Sequence, residues 1–312
     1  MAAAAIRAEG LTKYYGEVIG IEDLSFEVAR GEVYGFLGAN GAGKTTTIRL
    51  LLDLLRPSRG RATVLGVDCH RDSLAARRLI GYLPGDLPIY PDLSARDYLA
   101  YLAGLDGRPV PPDYLRALLK RFDVSDVDQR RRLRVQSHGM KQKIGIIQAL
   151  MARPAVAVLD EPTAGLDPMM VQAFRETLAD LKRGGETTVF LSSHVLAEVE
   201  STCDRIGLVR GGRLVTTGTI AQIKKDATRR VTVFFTSPVP PPAFALPGVT
   251  VHSTSATQWV LDVRGPVGPF VAALAGLPVH DLVVDPFRLE DYIAQFYAET
   301  VPLGAVPGGA AR

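Results

Sequence analysis

Cysteine is scarce: Cys69 and Cys203 are the only two in 312 residues. They make no disulfide framework and no metal-type spacing, which suits a reducing, cytosolic compartment. Long apolar runs are missing too. No uncharged apolar stretch approaches the roughly 20 residues that a membrane helix needs. The alanine run after Met1 lacks the apolar core of a secretion signal. Any connection to a membrane is therefore expected through a partner. Charge of one sign is not in excess: a net +3 is too small to argue for nucleic acid. The run Arg130-Arg131-Arg132-Leu133-Arg134 reads as a solvated face. No internal repeat is visible. What is present is an ordinary globular composition, 47% hydrophobic and 22% charged. The length allows two domains, or one large domain and an appendage.

Against that background one stretch stands out. Gly38, Ala39, Asn40, Gly41, Ala42, Gly43, Lys44 and Thr45 fit a phosphate loop: a glycine, four residues, then Gly-Lys-Thr. Glu32 to Leu37 before it is a short, mostly apolar run, as a buried strand would be. After it, Ile48, Leu51, Leu52 and Leu55 fall at helical spacing, and Pro57 and Gly60 close the segment. A loop between a strand and a helix start offers backbone N–H groups and a positive dipole end to phosphate oxygens. Lys44 is expected to reach the outer phosphates, and the Thr45 hydroxyl to hold Mg²⁺; Thr46 joins the nucleotide-binding set. The competing reading is a chance Gly-rich turn, which leaves the lysine, the threonine and both flanking elements unexplained.

The pattern along the chain predicts an α/β fold: a P-loop NTPase (RecA-like) core with an N-terminal antiparallel β layer, a helical insert and a small C-terminal α+β appendage. Residues 6 to 33 read as short strands with a turn at Gly16, and Arg61 to Leu65 as another. Arg71 to Arg78 looks helical, and Leu79 to Leu83 looks like a strand ending at Pro84. A helical subdomain is expected over about 90–153, with Ser94 capping one helix and another starting near Ser137. Ala155-Val156-Ala157-Val158-Leu159 reads as a central parallel strand. A helix from Met170 to Arg183, a strand from Thr187 to Leu191 and a helix over Ala197 to Cys203 follow. Strands then flank Gly211-Gly212. The expected domains are 1–225, a nucleotide-binding cassette, and 226–312, with strands near Val231, Val249 and Trp259 and helices at Phe270 to Leu277 and Leu289 to Glu299.

A phosphate loop alone does not separate a kinase from an ATPase or a GTPase. The apolar strand at 155–159 ends in Asp160-Glu161. An aspartate at a strand tip can orient the Mg²⁺ water shell, and the adjacent glutamate can polarise a water for in-line attack on a γ-phosphate. Further on stand Gly165-Leu166-Asp167 and Leu191-Ser192-Ser193-His194; earlier stand Tyr15 and Gln136-Ser137-His138-Gly139-Met140-Lys141-Gln142-Lys143. In this order the motifs make residues 6 to about 225 resemble the ATP-binding cassette (ABC) ATPases. The resemblance identifies Tyr15 with the aromatic that stacks on adenine, Ser137 and Gly139 with a variant signature, Asp167 with the D-loop and His194 with the switch histidine. It implies a homodimer, or pseudo-dimer, closing on two ATP molecules with Mg²⁺. Each ATP would lie between Lys44 of one subunit and Ser137 and Gly139 of the other, with Glu161, His194 and Lys44 as catalytic groups and Thr45 and Asp160 on the metal.

Two departures matter. The family expects a glutamine after the strand at 80–83, where this chain has Pro84, Gly85 and Asp86. Glycine cannot coordinate Mg²⁺ or position water, so either Asp86 substitutes or the contact is absent. His138 and Met140 also stand where the signature has glycine and glutamine. Such variants look like the drug- and antibiotic-export subgroup, whose partner is a separate ABC-2 type permease. Leu289-Glu290-Asp291-Tyr292-Ile293 resembles that subgroup's ending. The implied protein is a transporter ATPase subunit on the cytoplasmic face of the cell membrane, with the permease docking around Leu87 to Tyr98. The alternative is a soluble ABC ATPase acting on ribosomes or DNA, but such relatives carry two cassettes or a long coiled coil, and this chain has neither. A P-loop kinase would leave Ser137, Asp167 and His194 without roles. The C-terminal part is read either as a dimer-stabilising or regulatory domain, or as a passive cover.

Overall fold

The computed structural model describes residues 4–226, 228–240, 246–285, 289 and 293. Two compact units are distinguished, Met1–Gly218 and Thr219–Arg312. The sequence expectation placed the boundary after residue 225.

The first unit begins with strands β1 (Ala4–Tyr15), β2 (Val18–Ala29) and β3 (Val33–Leu37), helix α1 (Lys44–Leu51), strands β4 (Arg59–Val64) and β5 (Val67–Asp68), helix α2 (Ser73–Arg78) and strand β6 (Ile80–Leu83). A helical stretch follows, with α3 (Ala95–Asp106), α4 (Pro112–Arg121), α5 (Asp126–Arg130), a 3₁₀ turn at Leu133–Val135 and α6 (His138–Leu150). Alternation then resumes through β7 (Val156–Asp160), α7 (Pro168–Gly184), β8 (Thr188–Ser193), α8 (Leu196–Thr202), β9 (Arg205–Arg210) and β10 (Arg213–Thr219).

These strands make two sheets. The antiparallel layer has the order β2-β1-β4-β5, and the central sheet β10-β9-β3-β8-β7-β6. In the central sheet β3 pairs in parallel with β8 and β9, and β7 with β6 and β8. Every residue of β3, β7 and β8 is buried, which is why their apolar residues are consecutive instead of alternating, with polar Asp160, Ser192 and Ser193 at the ends of β7 and β8. Aromatic rings join the two layers: Phe26 of β2 stacks 5.8 Å from Phe190 of β8 and 5.9 Å from Tyr34 of β3. The parallel register sets Leu37 beside Ser193 and Asp160 beside Ser192. The loops that follow these strands therefore meet at one edge of the sheet, where open α/β sheets bind ligands.

Several elements differ in length from expectation for local reasons. β1 and β2 are single long strands around the turn at Gly16 (φ 62°), not a series of short ones. Helix α2 starts at Ser73 because the Asp68 carboxylate accepts from the amides of His70 and Arg71, at 2.9 and 3.0 Å, and holds that stretch as a turn. Helix α7 starts at Pro168, a residue suited to the first helical position, and ends at Gly185 (φ 67°).

The second unit contains α9 (Ile220–Asp226), β11 (Thr228–Phe235), β12 (Val249–Thr254), β13 (Gln258–Arg264), α10 (Gly268–Ala273) and β14 (Val279–Val284). Its antiparallel sheet has the order β12-β13-β11-β14. Alternate residues Val231, Val233, Phe235, Trp259, Leu261 and Val263 are buried and pack with Phe270 and Leu274 in a core of their own. Leu289 and Ile293 are buried; the rest of the helix expected at Leu289 to Glu299 lies outside the described residues.

Candidate nucleotide site

The loop between β3 and α1 is shaped by two glycines in particular. Gly43 has φ 109°, and a Cβ there would lie 2.6 Å from Ile21 Cγ2 and 2.9 Å from the Gly20 carbonyl. At Gly38 a Cβ would lie 2.4 Å from the Val209 carbonyl and 2.9 Å from Ala42 Cβ. Both positions exclude a side chain. Helix α1 starts at Lys44 without a side-chain cap, so its first amides have no intrahelical acceptor and face outward as anion donors. Lys44 is 6% exposed. Its Nζ donates to the Gly38 carbonyl at 2.6 Å and lies 3.3 Å from Glu161 Oε1.

Thr45 Oγ1 donates to Asp160 Oδ2 at 3.0 Å, and the Ser192 hydroxyl donates to Asp160 Oδ1. Asp160 is buried at the tip of β7. Glu161 follows it in the left-handed region, φ 49°. The Glu161 amide donates to the Ser192 carbonyl and hydroxyl, each at 3.2 Å. His194 Nδ1 lies 2.8 Å from Glu161 Oε2. One continuous polar chain thus runs from Lys44 through Glu161 to His194, beside the pair Thr45–Asp160.

A cavity of about 340 Å³ opens against this chain. It is lined by Ala39, Asn40, Gly41, Gly43, Lys44, Thr45, Thr46 and Glu161, and by Tyr15, Val18, Ile19 and Gly20. Its volume is that of a small-molecule site. Tyr15 is 44% exposed, and Lys13 Nζ stands 5.6 Å from the centre of its ring. The polar end can take phosphates, and the apolar end can take a flat ring.

Ser137, Gly139 and Asp167 do not line the cavity. Ser137 caps α6, accepting from the Met140 amide at 3.2 Å, and Asp167 caps α7, accepting from the Met170 amide at 3.0 Å. Gly139 lies so near the Gly165 carbonyl that a Cβ would stand 2.8 Å from it. Gly85 abuts the site, since a Cβ there would lie 3.3 Å from Asp160 Oδ2. Asp86 is exposed and absent from the cavity wall. Nearby, burial, aided by the Asp160 charge, pushes the Tyr82 phenol up to about 12.

Two contributors had no assigned part in the sequence reading. Ser192 holds Asp160 and the Glu161 amide, and Gln142 Nε2 donates to the carbonyls of Glu161 and Pro162 at 3.1 and 3.0 Å. Both were present within recognised motifs, and only the folded contacts show what they touch.

A family model described as "ABC transporter" matches residues 21–164. The daunorubicin resistance ATP-binding protein DrrA3 of Streptomyces coeruleorubidus is 39% identical over 228 residues, 72% of each chain. The bacitracin transport ATP-binding protein BcrA of Bacillus licheniformis is 35% identical over 213 residues, 67% of this chain and 68% of that one. Among solved structures, the ATP-binding subunit of an ABC transporter superposes with a TM-score of 0.65 at 30% identity, covering 70% of this chain and 92% of that one. A dimeric bacterial ABC transporter cassette shares the fold, with a TM-score of 0.64 at 20% identity over 69% of this chain and 98% of that one.

Proposed function

The chain belongs to the ABC transporter ATP-binding family, and on that premise we propose that it powers a separate ABC-2 type permease as the ATPase subunit of an exporter. ATP hydrolysis to ADP and phosphate is the activity of this family. The export reading is supported by relatives named for daunorubicin resistance and bacitracin transport. Among the described residues no helix is long and apolar enough to cross a membrane, in keeping with a permease carried on another chain, the subunit being held at the cytoplasmic face of the cell membrane.

The observation that carries the catalytic reading is the contact chain Lys44–Glu161–His194, whose first two members line the cavity while His194 stands off its wall, with Glu161 directly after the buried Asp160. The first-turn amides of α1 and the Lys44 ammonium receive the β- and γ-phosphates, while Tyr15 takes the adenine face. The oxygens of Thr45 and Asp160, 3.0 Å apart, are a hard-oxygen donor set that fits Mg²⁺. Bound there, the ion neutralises phosphate charge. Glu161 orients and deprotonates the attacking water, and His194, on its other carboxylate oxygen, senses the γ-phosphate. Ser137 and Gly139 of a second copy complete the phosphate cradle from across a dimer, the arrangement in which their position off this cavity makes sense. Asp86, in place of the missing glutamine, would reach the Mg²⁺ only by turning inward from its exposed position.

The test is phosphate release by the purified protein, wild type beside Glu161→Gln, with and without Mg²⁺, followed by gel filtration of the variant with ATP. Mg²⁺-dependent release lost in the variant, and a dimer that forms only with ATP, are expected. A variant that stays monomeric overturns the closed-dimer reading. Affinity purification of tagged protein from detergent-solubilised host membranes that recovers no polytopic membrane protein overturns the permease reading.

A further inference from the structure

Gln142 sits on α6, one turn beyond the Ser137 cap, and is 3% exposed. Its amide nitrogen carries two donors, and they are spent on two successive carbonyls of the turn after β7, Glu161 O at 3.1 Å and Pro162 O at 3.0 Å. The turn it grips is not a relaxed one. Glu161 holds φ 49°, a conformation that a β-carbon disfavours and that persists only where the surroundings fix it. From the opposite side, Ser192 of β8 receives the Glu161 amide through both its carbonyl and its hydroxyl, each at 3.2 Å.

Residue 161 is thus pinned at both ends of its peptide frame, by β8 at the N–H and by α6 at the C=O. With the frame fixed, the carboxylate stands between Lys44 at 3.3 Å and His194 at 2.8 Å. Gln142 itself touches neither of these groups and does not line the nucleotide cavity.

We propose that Gln142 is a positioning residue for hydrolysis, its amide fixing the left-handed turn at Glu161 and so the placement of the carboxylate that activates water. The proposal rests on the reading of Glu161 as that base. Removing the amide takes that bond from the buried Pro162 carbonyl, leaves the Glu161 carbonyl with the Ala164 amide at 3.2 Å, and frees the turn to relax. A general base displaced by a fraction of an ångström loses much of its effect, and misplacements near 1 Å cost on the order of 100-fold. The nucleotide contacts, made by the loop at 38–46 and by Tyr15, are untouched.

The experiment uses the full chain and two substitutions, Gln142→Leu and Gln142→Glu. The second has the same length but presents acceptors to the two carbonyls in place of donors. Single-turnover phosphate release, followed in the Glu161→Gln background for long enough to read its slow residual rate, and equilibrium binding of ATP are measured for each in the wild-type and Glu161→Gln backgrounds, with melting temperature as the control for folding. The expected result is a release rate lowered about 10- to 100-fold with ATP affinity unchanged within about twofold, and no further loss when the carboxylate is already gone. A structural role alone would give the same fold-loss in both backgrounds, and that outcome overturns the proposal, as does a normal rate in either variant. If Gln142→Leu fails to fold, Gln142→Glu decides. Glu161→Gln hydrolysing at the wild-type rate overturns Glu161 as base and Gln142 with it, whereas an inactive Glu161→Gln beside fully active Gln142 variants overturns Gln142 alone.

Discussion

At the residue scale the phosphate loop concentrates its energetics in Lys44. The side chain is buried, bonded to the Gly38 carbonyl at 2.6 Å and set 3.3 Å from Glu161, so it is preorganised and loses little freedom when phosphate arrives. A hydrogen bond to a charged group contributes about 1.5–3 kcal/mol. Lys44→Ala is therefore expected to weaken ATP binding about 10- to 100-fold, which equilibrium titration with a fluorescent ATP analogue measures; affinity within twofold of wild type contradicts this role. The same loop was the most legible part of the sequence, because its spacing, its lysine and its flanking strand and helix each carry an independent signal. Gln142 and Ser192 were not legible as site residues. A glutamine inside a helix and a serine at a strand end are ordinary locally, and their importance lies in which carbonyl or carboxylate the fold brings to them, at contacts 19 and 31 residues away in sequence for Gln142–Glu161 and Ser192–Glu161.

Elements were legible wherever burial is uniform or periodic. The fully buried strands β3 and β7 read correctly as apolar runs, β8 overlaps the strand expected from Thr187 to Leu191, and α3 and α6 start where Ser94 and Ser137 mark them, each capped by that hydroxyl. Boundaries set by side chains acting at a distance were not, as with the start of α2, which the Asp68 carboxylate delays. Helix α4 of the helical stretch and α7 are tied by a feature invisible in sequence: Arg121 of α4 donates to Asp180 of α7 at 2.6 Å. The Arg121 hydrogen bond, with Arg183 adding, holds the Asp180 carboxyl below its usual value of 3.8. A depressed carboxylate contributes stability that is full above its unfolded pKa and is lost as pH falls through the folded one. Asp180→Asn is accordingly expected to lower stability at neutral pH by about 0.2–1 kcal/mol, the range for partly exposed pairs, with the deficit shrinking as pH falls below 3.8 and gone only below the depressed folded pKa. Melting curves across pH check this; a deficit that persists or grows in acid assigns the loss to packing instead of charge.

At the scale of the whole molecule, among the described residues one hydrophobic core joins the two sheets of the first unit and another surrounds Trp259 in the second. A unit with a core of its own is a candidate for its own cooperative transition. Trp259 is the only tryptophan in the chain and is 1% exposed, so intrinsic indole fluorescence reports the second unit alone. The helices of α3, α4, α6 and α7 make far-ultraviolet circular dichroism report mainly the first. ATP binds the folded cassette, and a ligand at about 100 times its Kd stabilises its host by roughly 2.7 kcal/mol, or roughly 5–10 °C for a unit of this size. Heating Glu161→Gln with saturating ATP and Mg²⁺ is therefore expected to raise the dichroism midpoint while the Trp259 fluorescence midpoint stays where it was. If both signals share one midpoint and move together with nucleotide, the second unit unfolds with the cassette and its stability is coupled to the ATP site.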